Sequence, residues 1–124
     1  MLAQSGIYAI VPAKDIERAK AFYRDKLGLE PSKDVPGGVL YECDGTRFQM
    51  YETPNAGTAQ NTAMGWSVSN LDEVMEKLQA NGVTFEKYDM PGVDPETGVI
   101  TTDGMRAVWF KDSESNILCL SQTS

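Results

Sequence analysis

The chain has 124 residues, 18 acidic and 11 basic side chains, a formal charge of −7 and no histidine. The length suits one domain, and 41% hydrophobic with 23% charged residues is a globular composition rather than a disordered one. Without histidine the chain by itself builds no Ser-His-Asp triad, Cys-His pair, imidazole base, two-histidine iron site or His-rich zinc site, and its acidity argues against nucleic acid or an anionic membrane as partners.

No apolar stretch approaches the ~20 residues of a membrane span. Met1-Leu2-Ala3-Gln4-Ser5 lacks the basic start and apolar run of a secretory signal. A cytoplasmic location follows as the expectation, with Cys43 and Cys119 reduced, unpaired and used as small apolar filler.

Gly6 to Val11 is short and apolar and reads as strand one, ended by Pro12-Ala13-Lys14. Asp15 is placed to cap a helix, because its carboxylate can accept from the free N–H groups of the first turn. Ile16, Ala19, Phe22, Tyr23 and Leu27 recur at helical spacing as its buried face, and Gly28 ends it with Leu29 packing back. Extended segments follow near Leu29–Lys33, at Val39–Cys43 after Val35-Pro36-Gly37-Gly38, and at Arg47–Glu52. Asp44-Gly45 is a hairpin signal, since both residues tolerate positive φ. Thr53 to Asn61 reads as a linker.

The pattern then repeats. Thr62–Ser69 is extended. Asn70 with Glu73 has the spacing of a capping box, and Leu71, Val74, Met75 and Leu78 form the apolar stripe of a second helix closed by Gly82. Val83–Lys87, Arg106–Lys111 and Ile117–Gln122 are extended. Strand, helix and three strands thus occur twice, which predicts an α+β fold of two βαβββ repeats in a single domain, 1–124. Unit one spans 5–52, the linker 53–61 and unit two 62–122. Each unit is too small to bury both faces of its sheet, so the mixed sheets are expected to combine, with helices on the outer face and a concave cleft on the other. The stretch from Asp89 to Gly104 is an insertion of the length used for lids and binding loops, or a disordered surface excursion.

Asp15-x6-Phe22-Tyr23 with Leu27-Gly28-Leu29, the helix entry Val68-Ser69-Asn70-Leu71-Asp72, and Trp109-Phe110-Lys111-Asp112 running into Asn116-Ile117-Leu118 carry a resemblance over essentially the whole chain. The sequence resembles the glyoxalase/bleomycin-resistance/dioxygenase superfamily, the vicinal-oxygen-chelate fold. Members usually show Asp-Pro-Asp/Glu-Gly-Asn at the last turn. Here it reads Asp112-Ser113-Glu114-Ser115-Asn116, which can change the turn type but not the hairpin. In metal-using members four ligands, typically His or Glu, come from the first and last strands of the two units. The resemblance puts Tyr8, Gln49, Ala63 and Cys119 at those positions. Ala63 has no donor atom, and neutral Tyr and Gln are poor ligands, so no metal and no cofactor are expected.

If Gln49 faces the cleft, alternation puts Arg47 and Tyr51 beside it, with Phe48 and Met50 under the helices. By the same rule Tyr8 and Ile10 face the cleft, as do Ala63, Gly65 and Ser67, and Ile117, Cys119 and Ser121. Met64, Trp66 and Val68 go to the helical side. Trp109 and Phe110 point opposite ways, with either able to enter the cleft. The candidate ligand-binding cleft is therefore Tyr8, Arg47, Gln49, Tyr51, Ala63, Gly65, Trp109 and Cys119, an aromatic lining with a few polar groups. Cys119 is a nucleophile only if its pKa is lowered, and Glu42 and Glu52 are bases only if buried. Arg47 and Arg106 offer forked donors to a ligand carboxylate or form surface ion pairs. No catalytic residue is assigned. The expected function is binding or sequestering a small neutral or cationic, partly aromatic molecule, in a homodimer. A glyoxalase-type lyase or isomerase is the first alternative, ahead of a His-ligated dioxygenase. A dimeric interaction domain with a self-filled cleft is the second.

Overall fold

A computed structural model describes residues 1–123. Its strands are β1 (Ala9–Ala13), β2 (Lys33–Val35), β3 (Gly38–Cys43), β4 (Thr46–Glu52), β5 (Thr62–Ser67), β6 (Ile100–Thr102), β7 (Met105–Lys111) and β8 (Ile117–Thr123). The helices are α1 (Ile16–Leu27) and α2 (Leu71–Ala80), with a single 3-10 turn at Leu2–Gln4. Two four-stranded sheets have the same plan, β1-β4-β3-β2 and β5-β8-β7-β6, with the first pair of each parallel and the others antiparallel. The repeat read from the sequence is the repeat of the fold.

Local chemistry starts and stops the helices where the residues indicate. Asp15 Oδ1 accepts from the Arg18 backbone N–H at 3.1 Å, and Asn70 Oδ1 accepts from that of Glu73 at the same distance. Gly28 takes the left-handed φ of 72°, which lets Leu29 N–H return to the Tyr23 carbonyl. Asp44-Gly45 and Asp103-Gly104 both turn with positive φ at both residues, the geometry that matches the twist of two-residue hairpins.

Three elements lie elsewhere than the sequence indicates. The extended segment expected near Leu29–Lys33 is β2 at Lys33–Val35, paired with residues 38–40 across the turn. Strand one runs through Pro12 and Ala13 rather than ending before them. It is an edge strand, and Pro12 lies where its missing N–H would point away from β4; its carbonyl, on the same side, accepts from Asn116 Nδ2 at 2.8 Å. In the second unit Val83–Lys87 forms only a bridge, Phe85 with Phe110. The outer place in the sheet goes to β6, from the stretch expected to be a lid or loop. The Asp103-Gly104 hairpin closes β6 on β7 over two residues, at far less entropic cost than a long loop from residue 87. The rest of that stretch is a strap tied back by Val93–Ile100 pairing and by buried Val99.

One hydrophobic core joins the units. Val11, Tyr41, Phe48 and Met50 from the first sheet and Val108, Phe110, Leu118 and Leu120 from the second belong to the same buried cluster as Tyr23 of α1 and Leu71, Met75 and Leu78 of α2. Phe48 meets Trp66 edge to face across the join, with centroids 6.3 Å apart. The helix-bearing sides of the two sheets therefore bury each other, and their edges do not pair with one another. The opposite, helix-free faces stay open to solvent in the single chain.

A polar latch reinforces the join. The Tyr23 hydroxyl donates to Asp112 Oδ2 at 2.7 Å. The Glu114 carboxylate accepts from the backbone N–H groups of Lys14 and Asp15, from Arg18 and from the Ser113 hydroxyl, at 2.8–3.0 Å. The turn at Asp112–Asn116, read from the sequence only as a hairpin, thus holds the end of unit two against the start of α1.

Candidate functional site

The candidate residues sit on the helix-free faces. In the first sheet Ile10, Gln49 and Leu40 share one row and Pro12, Tyr51 and Gly38 the next, while Arg47 stands opposite Glu42. Phe48 and Met50 are buried on the other side, so the alternation holds. Tyr8 precedes β1, and the Arg47 guanidinium lies over its ring at 5.7 Å, a cation–π contact. In the second sheet Gly65, Cys119 and Trp109 form one row. Phe110 is fully buried, so Trp109 is the one that faces outward. Trp109 Nε1 donates to Thr62 Oγ1 at 3.1 Å.

The eight residues fall in four places. Tyr8, Arg47 and Gly65 line one open crevice of about 480 Å³ where β4 and β5 approach, together with Cys43, Phe48 and Trp66. Ala63 borders a smaller one of about 120 Å³ with Pro12 and Asn116. Gln49 and Tyr51 remain on the first face, and Trp109 and Cys119 on the second. Gly65 has a packing reason for being glycine: a Cβ there would stand 2.9 Å from the Cys119 carbonyl oxygen. Arg106 is engaged elsewhere, its Nη2 donating to Asp72 Oδ1 at 2.8 Å.

Tyr88 is a site residue that sequence reasoning did not single out. The strap carries it edge-on to Trp109, with centroids 5.9 Å apart, because Glu86 N–H bonds the Trp109 carbonyl at 2.8 Å and fixes the chain just before it. Its only signal in the sequence is an aromatic residue at the mouth of the insertion. The position of Trp109 was open because the contacts that bury Phe110 come from elements distant in sequence.

These faces offer phenols, an amide, an indole, a guanidinium and a thiol. Burial pushes the Cys119 thiol above its ordinary pKa, so it stays protonated near neutrality and is a poor nucleophile or ligand. Among the described residues no three His, Cys, Asp or Glu side chains converge. Ala63 offers no donor at all. The residues that the resemblance puts at the four ligand positions do not fit a divalent metal.

The family model for the glyoxalase/bleomycin resistance protein/dioxygenase superfamily matches residues 7–117. The chain belongs to this superfamily. Among solved structures with the glyoxalase fold, a glyoxalase/bleomycin resistance protein/dioxygenase from Alicyclobacillus acidocaldarius is 15% identical, with a TM-score of 0.72 over 97% of this chain and 92% of that one. TnmS3, an antibiotic binding protein from a Streptomyces species, is 22% identical, with a TM-score of 0.71 over 100% and 99%. A lactoylglutathione lyase from Agrobacterium tumefaciens is 18% identical, with a TM-score of 0.67 over 96% and 93%. No curated protein matches the sequence. At these identities the solved structures show the glyoxalase fold alone.

Proposed function

We propose that this glyoxalase-superfamily chain is a metal-free, cytoplasmic small-molecule binder. It holds a neutral or cationic, partly aromatic compound against the helix-free sheet faces. The observation that carries this reading is the set Tyr8, Gln49, Ala63 and Cys119 at the four ligand positions. Tyr8, Tyr51, Trp109 and Tyr88 supply ring faces and edges, and Gln49 an oriented hydrogen-bonding group. The antibiotic-binding function in the name of TnmS3 agrees with it. The working form is a homodimer, because Ile7, Ile10, Tyr8 and Tyr51 leave an apolar patch on one open face beside the β1 edge.

The test is a stripped and resupplied sample screened against cationic and neutral aromatic compounds by thermal shift. The expected result is no stoichiometric uptake of divalent cation, with stabilisation of ~2.7 kcal/mol by a compound at 100-fold its Kd. One equivalent of bound cation that raises stability overturns the metal-free reading. It would favour the lyase reading that the name of the Agrobacterium structure suggests. A dimer that no compound stabilises favours an interaction domain instead.

A further inference from the structure

The two units leave a gap where their helix-bearing sides meet. Between the end of α1 and the flank of α2 lies an apolar crevice of about 270 Å³, walled by Leu27 and Leu29 of the first unit and by Trp66, Val74, Leu78 and Phe110 of the second. Among the described residues, Cys43 and Ser67 are its only other-than-hydrocarbon contributors besides the indole, and no charged side chain lines it. The other surface grooves differ: the one beside α2 carries Asp72, Glu76, Asp94 and Arg106, and the one beside β2 carries Glu17, Lys20, Asp34 and Glu52.

The crevice opens to solvent, so its hydrocarbon walls face water beside a join whose interior is closely packed. Water in it finds few polar partners, and an apolar ring that covers the walls releases that water. Apolar cavities of about 150 Å³ already take up benzene in preference to water. From this geometry we infer a second ligand site in the seam between the units, one that takes a small, neutral aromatic molecule with one or two fused rings. The walls come from α1, β3, β5, α2, β7 and β8 of one chain, so the site is complete without a partner. Ring edges at Trp66 and Phe110 suit an aromatic occupant, and the lack of charge disfavours an ionic one.

This site differs from the open crevice of the function proposed above, although the two share Cys43, Trp66 and Ser67 at their boundary. Alternation along β5 sends Trp66 to the seam and Gly65 to the open face. Cys43 stands at the boundary, lining both the seam and the open crevice, whereas Cys119 lies in the row of Gly65 and Trp109. Both are free and half-buried, so Cys119 reports on the open face and Cys43 on either crevice, while Leu78 and Leu120 line the seam and not the open crevice.

The experiment is thiol labelling with a small maleimide, read by mass spectrometry on each cysteine, during titration with indole. The expected result is saturable, several-fold slowing at Cys43 with the rate at Cys119 unchanged. Val74 lines the seam and not the open crevice, so Val74→Phe should abolish the slowing while the chain remains folded; slowing that survives it places indole in the open crevice and overturns the inference. Should that variant fail to fold, saturable indole-induced shifts of the Leu78 and Leu120 methyl resonances in the unaltered chain carry the test. Lack of protection at Cys43 up to the solubility of indole overturns the inference. Protection at Cys119 alone overturns it too, and leaves the open-face reading standing. Slowing at Cys43 that follows protein concentration rather than indole shows that a second copy covers the crevice, which also overturns it.

Discussion

Glu114 is a carboxylate buried at the join of the two units, with a fully covered side chain although its partner Arg18 is half exposed. The Arg18 hydrogen bond, aided by the backbone N–H of Asp15 and the Ser113 hydroxyl, lowers its pKa from 4.5 to about 2. A group whose folded pKa is depressed stabilises the fold above its unfolded pKa and loses that contribution as pH falls toward the folded value. The chain should therefore lose stability between about pH 4.5 and 2. Glu114→Gln, which keeps an acceptor for the backbone N–H groups, should flatten that part of a urea-midpoint profile. Asp112 has the opposite sign. Burial raises its pKa, against donors from Asn116, Tyr23 and Glu114 that favour the charged form. Its ionisation is thus a cost that those donors offset only in part. Tyr23→Phe removes one of them and should cost about 1–3 kcal/mol in denaturant unfolding at pH 7. Ser115 sits in the left-handed region at φ 67°, which glycine takes without a Cβ penalty. Ser115→Gly should raise stability by about 1 kcal/mol, read as an increase in Tm.

Among the elements, the strap between α2 and β6 sets the open face of the second sheet. It is fixed at its start by Glu86 on Trp109 and near its end by Gly98, whose φ is 85° and whose added Cβ would collide with the Glu86 carbonyl oxygen. Gly98→Ala faces both the strained φ and that collision. The expected loss is on the order of 2 kcal/mol, with faster amide exchange confined to residues 84–99. Tyr88 should then leave Trp109, and the indole fluorescence should move toward that of an exposed ring. An unchanged exchange pattern would show that the Val93–Ile100 pairing and buried Val99 hold the strap without Gly98.

For the whole molecule, burying the helix-bearing sides of both sheets against each other leaves two open faces and the edge strands β1, β2, β5 and β6. The exposure of Ile10 at 54%, Tyr8 at 44% and Tyr51 at 39% is apolar surface that a second copy would cover. Sedimentation is expected to give a dimer at micromolar concentration, and Ile10→Asp should shift it to the monomer without loss of the far-UV signal. A monomeric native chain would remove the homodimer from the proposal.

Much of this protein was legible in its residues. Asp15, Gly28, Asn70 and the two Asp-Gly pairs act through atoms within a few positions along the chain, so their caps and turns needed no tertiary information. The period of two in Arg47-Phe48-Gln49-Met50-Tyr51 assigned faces, because a strand cannot send adjacent side chains the same way. The missing histidine excluded imidazole chemistry from the chain itself. Contacts between distant segments decided the rest. Pro12 entered a strand because Asn116 serves its carbonyl, and β6 displaced residues 83–87 because a two-residue hairpin closes more cheaply than a long loop. Trp109 faced outward because the shared core took Phe110. Local sequence sets which way a side chain leaves its own backbone. Which neighbour it then meets is a property of packing, and packing sums over the whole chain.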